Sequence, residues 1–284
     1  MAHFHIIQRV SYSILKITNT FMPRKKSTTE VVNEDSFKVA HLNLKFKPIT
    51  NGQHNLENQI RKNTLTFCKG PAGTGKTFVS IAVALQLLKE NPEINKICLV
   101  KSVSTLPDEE VGFLKGTLLE KMDPVMWSFI ANFEKLIGEK VTNILKEKGI
   151  VEIKPIAYLR GVSLDNAIIL VDETQNISVQ NMRTILTRLG KNSKMIFLGD
   201  TQQIDIRNRK LSSLDFLFKH FTEVQDLGFV ELTDEDIVRN PLIKRIEKKF
   251  RELDELDTVA YLGNGGNGNG NGTTTQKFSF FSKK

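Results

Sequence analysis

Apolar residues fall into short continuous runs along the middle of the chain, separated by segments in which apolar residues recur at helical spacing. Such short runs, bounded by polar turns, are typical of buried strands. The pattern predicts strands at residues 65–68, 96–101, 151–156, 167–171, 194–198 and 228–232. Helical spacing predicts helices at 78–88, 211–221 and 241–252, and over much of 109–148. Strict alternation predicts one further strand at 41–46, followed by a turn at 47–53.

Strands and helices therefore alternate, which is the pattern of an α/β protein with a parallel sheet and helices on both faces. Polar residues follow several of the predicted strands at their carboxyl ends. Because parallel strands end at one edge of a sheet, we expect a ligand to bind at that edge.

The most specific local pattern is GPAGTGKT at residues 70–77, which lies between a predicted strand and a predicted helix. Its glycines allow the backbone to fold so that several N–H groups point at one anion, and the helix adds the positive end of its dipole. The candidate phosphate-binding residues are Gly70, Pro71, Ala72, Gly73, Thr74, Gly75, Lys76 and Thr77. The alternative interpretation is a glycine-rich turn that only connects a strand to a helix.

Four side chains suit the chemistry of a bound polyphosphate. Lys76 can reach the β- and γ-phosphates, and the hydroxyl of Thr77 can complete the shell of a Mg²⁺ ion. Asp172 and Glu173 follow the strand at 167–171. A carboxylate at that position can hold Mg²⁺ through water, and an adjacent glutamate can take the proton of an attacking water. The alternative is an acidic pair that merely ends a buried strand.

Polar residues also end the strand at 194–198, in the sequence GDTQQ at 199–203. They include Asp200 and are well placed to sense a γ-phosphate. Gln175 lies three residues after Asp172. Upstream of the loop, the amide of Gln53 can both donate and accept hydrogen bonds, so it is a candidate for binding the edge of adenine.

The charge of the chain is concentrated at its ends. The net charge is +8, and residues 1–36 hold five basic and three acidic side chains. Residues 263–284 hold three lysines and no acidic residue. We predict a basic tail at 1–36, an ordered domain at 37–262, and a Gly/Asn-rich tether with a Phe/Lys peptide at 263–284. A moderately basic protein of this kind is compatible with nucleic-acid binding.

Both tails carry a specific hypothesis. Met22 precedes Pro-Arg-Lys-Lys, and translation is hypothesised to begin there, against the alternative of a frayed N-terminal tail. The C-terminal peptide contains three phenylalanines among lysines. It is interpreted as a docking peptide for a partner protein or single-stranded nucleic acid, against the alternative of an unconstrained end.

Composition narrows the class of protein further. No run of 18 apolar residues exists, so no membrane-spanning segment is expected. Cys68 and Cys98 lie in strand-like runs without partners at metal-ligand spacing, and we expect buried thiols in a reducing compartment. Trp127 is expected to pack the helical segment against the sheet, with base stacking as the alternative.

With these motifs, the chain resembles the PhoH family of phosphate-starvation-inducible, ATPase-like proteins, and most of all its compact bacteriophage members. The resemblance covers residues 37–251. It rests on six segments in order: GPAGTGKT at 70–77, VGFLKGTLLEKMDP at 111–124, AYLRG at 157–161, ILVDETQN at 169–176, TRLGKNSKMIFLGDTQQID at 187–205 and EDIVRNPLI at 235–243.

This resemblance implies a RecA-like P-loop NTPase core similar to the first motor domain of superfamily 1 helicases. It implies that Asp172 holds Mg²⁺, that Glu173 is the catalytic base and that Gln203 senses the γ-phosphate. Thr174 replaces the alanine that is usual in the DEAQ-type box. A helicase of that superfamily has a second motor domain that completes the site, whereas this sequence shows the motifs of one motor domain. The site is therefore expected either to stay open or to be completed by a neighbouring subunit in a ring-shaped homo-oligomer, with a hexamer as one candidate.

Two arginines are candidates for this contribution in trans, Arg160 and Arg239. The alternative for each is a structural ion pair or a phosphate contact within the same chain. An added ribonuclease domain is not expected, because residues 1–36 are too few to form one.

The sequence therefore predicts a cytoplasmic ATP-binding protein and Mg²⁺-dependent ATPase, located in the host cytoplasm if phage-encoded, which acts on RNA or single-stranded DNA. Lys76, Glu173 and Gln203 are its predicted catalytic residues. The alternative is a nucleotide-gated interaction protein with little turnover. A small-molecule kinase fits less well, because only Arg207 and Arg209 could contribute to a basic lid between residues 202 and 216.

Overall fold

The computed structural model describes residues 37–101, 118–159, 161–201, 203, 212–238 and most positions of 241–253. The predicted tails at 1–36 and 263–284, the start at Met22, and the candidates Arg160 and Arg239 lie outside the described residues. Within the described part of the chain, no helix is long and apolar enough to cross a membrane.

Six strands form one sheet in the described residues. They are β1 (Leu65–Lys69), β2 (Lys96–Lys101), β3 (Val151–Pro155), β4 (Ala167–Asp172), β5 (Lys194–Gly199) and β6 (Leu227–Glu231). Their order across the sheet is β3-β2-β4-β5-β1-β6, and every neighbouring pair is parallel. The predicted parallel sheet is confirmed, and each of its strands lies where an apolar run predicted it.

One of the helices named here precedes the first strand, and the other five connect strands. In chain order, they are α1 (Asn51–Lys62), α2 (Lys76–Glu90), α3 (Leu118–Ile137), α4 (Glu139–Glu147), α5 (Val179–Leu186) and α6 (Ser213–His220). The described positions between 241 and 253 are also helical. The predictions of helices at 78–88, and over the described parts of 109–148, 211–221 and 241–252, are confirmed.

Both faces of the sheet are buried. Ile169 and Val171 of β4 join one core cluster with Met182 of α5 and Leu214 of α6. The intervening Leu170 is fully buried as well, and side chains alternate between the two faces of a strand. Helices α1, α2 and α3 pack together and contact strands of the sheet. The sheet is therefore covered by helices on both faces, which explains why its strands read as continuous apolar runs.

The strand predicted at 41–46 is wrong. Residues 42–49 belong to no strand, although their burial does alternate, as the pattern requires. The segment lies beside α2: Lys89 Nζ donates a hydrogen bond of 2.8 Å to the Leu42 carbonyl, and the rings of Phe46 and Phe78 meet edge to face. An extended segment against a helix has the same two-residue period as a strand, so the pattern could not distinguish them.

The turn predicted at 47–53 contains the start of helix α1, which the sequence analysis missed. Thr50 caps this helix by accepting a hydrogen bond from the backbone N–H of Gln53. Only two apolar side chains of α1, Leu56 and Ile60, are buried. Two apolar positions in a twelve-residue polar segment are too few for a convincing helical period.

Trp127 does not have its expected packing role. Its side chain is 68% exposed, whereas Phe129, Phe133 and Leu136 form the buried face of α3. The prediction that Trp127 packs the helical segment on the sheet is therefore wrong, and base stacking by this residue stays a prediction.

Candidate functional site

The loop at residues 70–77 joins the carboxyl end of β1 to the first turn of α2. Gly73 and Gly75 adopt φ angles of 85° and 82°, in the left-handed region that favours glycine. Helix α2 begins directly after Gly75. The backbone therefore has the conformation that directs amide groups and a helix N-terminus at one anion, as the loop pattern predicted.

Lys76 folds back over this loop. Its ammonium donates hydrogen bonds to the carbonyls of Gly70, at 2.6 Å, and Pro71, at 2.9 Å. Burial lowers the pKa of Lys76. The ammonium group is therefore held at the mouth of the loop, close to where its phosphate ligand is expected.

Thr77 and Asp172 meet across the site. The Thr77 hydroxyl donates a 3.2 Å hydrogen bond to Asp172 Oδ2, and Oδ1 of the same carboxylate accepts the backbone N–H of Glu173. Burial, together with the nearby charge of Glu173, raises the pKa of Asp172. The structure thus brings together the two residues that the sequence analysis assigned to a metal ion.

Glu173 follows Asp172 in an unusual backbone conformation, with φ of 55°. The other described non-glycine residues with positive φ are Asn166, Asn192 and Asp226, which are of the types that tolerate it best. A glutamate there costs about 1–3 kcal/mol, and such strain is concentrated at functional sites. In this conformation the Glu173 carboxylate has two partners. Its Oε2 accepts a 2.7 Å hydrogen bond from Gln175 Nε2, and its Oε1 lies 3.7 Å from Lys101 Nζ.

Gln175 joins the three polar segments of the site, and the sequence analysis assigned it no role. It is fully buried, and its Nε2 donates both to Glu173 and to the Gln203 carbonyl, at 3.0 Å. Its Oε1 accepts the backbone N–H of Asp200 at 3.1 Å. Gly199 makes room for this arrangement, because a Cβ there would lie 2.7 Å from Gln175 Oε1. The sequence did offer one indication of this role, since Gln175 is the fourth residue of the segment Asp-Glu-Thr-Gln at 172–175, the DETQ box.

Gln53 braces the phosphate loop from the side of α1. The side chain is only 4% exposed. Its Nε2 donates a 3.0 Å hydrogen bond to the Thr74 carbonyl, and its Oε1 accepts the backbone N–H of Ile49, also at 3.0 Å. The NH2 group and the carbonyl oxygen of the Gln53 side-chain amide therefore each already have one partner within the protein.

Asp236 is a second structural residue that the sequence analysis missed. Its buried carboxylate accepts hydrogen bonds from the Thr50 hydroxyl at 2.6 Å, the Gly52 N–H at 3.0 Å and the Thr233 N–H at 2.9 Å. Two residues later, the Val238 N–H donates to the Gly73 carbonyl at 3.1 Å. The segment after β6 therefore connects the start of α1 to the phosphate loop.

These groups surround an open cleft of about 690 Å³ at the carboxyl edge of the sheet. One wall contains loop residues together with Asp172, Glu173, Asp200 and Gln203. The remaining lining includes Phe46, Ile49, Gln53, Asn132 and Lys135. The cleft is lined by every predicted site residue that the structure describes, except the loop residues Gly70, Pro71 and Thr74. Its place, outside the carboxyl ends of parallel strands, is where ligands bind in open α/β sheets.

The two cysteines lie outside this chemistry. Both are buried free thiols, and burial raises the pKa of Cys68 to about 12 and that of Cys98 to about 11. Among the described residues, no group of three or more His, Cys, Asp or Glu side chains could hold a metal ion. A metal at Thr77 and Asp172 would therefore need oxygen ligands from water or from a bound phosphate.

Comparison with known proteins agrees with this site. Residues 45–251 match the family profile described as PhoH-like protein. The PhoH-like protein of Bacillus subtilis is 39% identical over 201 residues, which are 71% of this chain and 62% of that protein. Protein PhoH of Escherichia coli is 35% identical over 188 residues, or 66% of this chain and 52% of that protein. The chain thus spans little more than half the length of these relatives.

A more distant likeness is found among solved structures. The large terminase of a thermophilic bacteriophage aligns with 71% of this chain and 50% of its own, with a TM-score of 0.44 and 12% identity. That likeness is too remote to support a functional argument. The match to the family profile, by contrast, extends over most of the chain and includes the loop, the DETQ box and the GDTQQ segment. This chain belongs to the PhoH-like protein family.

Proposed function

We propose that this protein is a Mg²⁺-dependent ATPase in which Glu173 activates the attacking water. The observation on which the proposal depends is the 3.2 Å contact between Thr77 and Asp172, with Glu173 as the next residue. This contact places a hydroxyl, a carboxylate and a candidate base beside one phosphate loop. In-line phosphoryl transfer to water needs these groups together, because its catalysis is mainly positioning and charge stabilisation.

The phosphates are proposed to bind in the loop at residues 70–77. There the backbone amides and the N-terminus of α2 offer donors to the β-phosphate. Lys76 exchanges its contacts with the Gly70 and Pro71 carbonyls for contacts with phosphate oxygens. This exchange is favourable because a charge-assisted bond to phosphate is stronger than a bond to a neutral carbonyl.

Thr77 and Asp172 are the residues that would hold Mg²⁺. Both offer oxygen atoms, the ligand type that this ion requires, and one carboxylate with one hydroxyl is a common protein contribution to an Mg²⁺–nucleotide site. When bound, the ion would neutralise charge on the phosphate oxygens.

Gln203 and Asp200 are proposed to sense the γ-phosphate. Both line the cleft beside Glu173, and Gln175 connects their backbone to the Glu173 carboxylate. A γ-phosphate contact at Gln203 would therefore be transmitted to the base through one buried amide. Gln53 is proposed to bind the adenine edge with its second N–H, in addition to bracing the loop.

RNA or single-stranded DNA is proposed as the substrate, and a homo-oligomeric ring as the active form. Both proposals are supported by the basic net charge and by the family resemblance to helicase motor domains. Arg160 and Arg239 are the proposed contributors in trans, because the cleft is open and a neighbouring subunit could close it. The C-terminal Phe/Lys peptide is proposed to recruit a partner protein or nucleic acid.

One observation favours the alternative of a nucleotide-gated switch with little turnover. Each oxygen of the Glu173 carboxylate has a protein partner, so an attacking water must compete for it. In this alternative the protein binds ATP tightly and uses the bound nucleotide to order an oligomer or a partner surface.

The deciding experiment measures ATP turnover by the purified protein with and without single-stranded RNA and DNA. Glu173→Gln serves as the matched variant, since it keeps the size of the side chain and removes its basicity. We expect turnover that depends on Mg²⁺, rises with nucleic acid and is lost in Glu173→Gln, while ATP binding persists. Tight binding without turnover under any of these conditions would favour the switch.

A further inference from the structure

The carboxyl edge of the sheet extends beyond the nucleotide cleft. None of the described residues of β2 or β3 lines the cleft, although β2 is next to β4, β3 is next to β2, and all three strands are parallel. Lys101 is the last residue of β2, and it pairs in register with Asp172 on β4. It therefore lies between the cleft and the adjacent, separate part of the edge.

Lys101 lies outside the cleft but is close to the carboxylate of Glu173, the proposed base. Its Nζ lies 3.7 Å from Glu173 Oε1, and no other carboxylate of the described residues is within ion-pair distance of it. The other oxygen of Glu173 accepts the bond from buried Gln175. The Lys101 side chain is 19% exposed and that of Glu173 is 35% exposed. Because Gln175 has no exposure to solvent, the Lys101 contact is the one of the two whose partner side chain is partly exposed.

We propose that Lys101 is a positioning residue that holds Glu173 away from the attacking water until a polyanion draws the Lys101 ammonium away. The polyanion is the phosphodiester backbone of a single-stranded nucleic acid bound along the edge beyond the cleft. This inference rests on the proposed ATPase function and names the step at which the substrate controls it.

The energies involved suit such a switch. A partly exposed ion pair is weak, so a single phosphate offered to Lys101 can compete with Glu173. A ligand that binds better to the released state shifts the population toward it by its difference in affinity. Gln175 stays bonded in both states, so Glu173 keeps its place beside Asp172 while Oε1 becomes available to water.

The test compares Lys101→Met, Lys101→Arg and Lys96→Met with the full-length wild-type chain. Lys96 begins the same strand at the opposite edge of the sheet, so the same substitution there controls for general effects on β2. Fluorescence titration with an N-methylanthraniloyl derivative of ATP measures nucleotide binding. Turnover is then measured with and without single-stranded poly(U) RNA.

For Lys101→Met we expect basal turnover to rise by about fivefold, the factor that follows from losing about 1 kcal/mol of restraint. Poly(U) should stimulate this variant little or not at all, while nucleotide affinity stays at the wild-type value. Lys101→Arg should keep low basal turnover and stimulation, and Lys96→Met should behave as the wild type.

Lower turnover in Lys101→Met, or unchanged turnover with full stimulation, would overturn the inference even though the protein is an ATPase. The absence of nucleotide binding in every variant would instead overturn the proposed function. A wild-type protein that binds ATP without turnover, beside a Lys101→Met variant that hydrolyses it, would support the restraint. These outcomes separate the failure of the inference from the failure of the proposed function.

Discussion

Gln175 donates a 2.7 Å hydrogen bond to the carboxylate of Glu173, from a side chain that has no exposure to solvent. The same amide bonds the backbone of Asp200 and Gln203. One buried residue therefore sets the distance between the proposed base and the segment proposed to sense the γ-phosphate. Because all its bonds are to different parts of the site, its loss should affect geometry more than affinity.

We predict that Gln175→Ala lowers turnover by about a hundredfold, because a displacement of about 1 Å of a catalytic group has that effect. ATP affinity should change little, since the side-chain hydrogen bonds of Gln175 go to Glu173, Gln203 and Asp200 and the phosphates are proposed to bind in the loop at residues 70–77. Steady-state kinetics and nucleotide titration measure the two quantities. Gln180→Ala, at an exposed position of α5, is the matched control. Equal losses of turnover and affinity would show that Gln175 supports only the fold.

We predict that Asp172→Asn stabilises the nucleotide-free protein at neutral pH. The folded state raises the pKa of Asp172, so ionisation of this residue opposes folding once the pH exceeds its unfolded pKa. A change worth about 1 kcal/mol would raise the melting temperature by about 2–4 °C in a domain of this size. The neutral amide can keep both neighbours, Thr77 and the Glu173 N–H.

The same substitution should abolish the additional thermal stabilisation that Mg²⁺ gives with ATP. The two effects thus have opposite signs, and thermal unfolding with and without MgATP measures both. As pH falls, the stability advantage over the wild type should disappear, because the wild-type carboxylate then becomes protonated. Asp226→Asn, an exposed change, should show neither effect. A less stable nucleotide-free Asp172→Asn protein would contradict the prediction.

We predict that Gln53→Ala weakens nucleotide binding about tenfold, the factor that corresponds to one lost hydrogen bond of about 1.4 kcal/mol. The substitution leaves the Thr74 carbonyl and the Ile49 N–H without this partner. If Gln53 braces the loop, the affinity for both ATP and GTP should fall. If it also binds adenine, the affinity for ATP should fall further than that for GTP. Titration with both nucleotides separates these roles, with Asn58→Ala as the exposed control on α1. Unchanged GTP affinity would exclude the bracing role.

We predict that Asp236→Ala destabilises the protein by about 3 kcal/mol, because three donors lose a charged acceptor in a buried setting. Urea unfolding measures the free energy of unfolding. Glu235→Ala, at the exposed neighbouring position, should cost less than about 0.5 kcal/mol. Nucleotide affinity should also fall in Asp236→Ala, since Val238 contacts the loop through Gly73. Wild-type stability in this variant would refute the linking role.

Local patterns in the sequence were sufficient to predict the sheet, the loop and the meeting of Thr77 with Asp172. Strands buried on both faces must be apolar throughout, so 167–171 and 194–198 were recognisable without knowledge of their neighbours. The loop is a contiguous motif whose conformation depends on its own glycines. Parallel strands end at one edge, and therefore Thr77 and Asp172, 95 positions apart, could be expected to meet there.

The tertiary structure decided what depends on contact partners rather than on residue type. Burial alternates in 41–46 because the segment lies against α2, and a strand would give the same pattern. The links that Gln175 and Lys101 make depend on the strand order, which places β2, β4 and β5 side by side although they are distant in sequence. The link that Asp236 makes to the start of α1 likewise joins residues that are distant in sequence. The type of a single polar residue does not show which group it will contact in the folded protein. The sequence by itself therefore determined which groups the site contains, and only the fold decided how they are held and what restrains them.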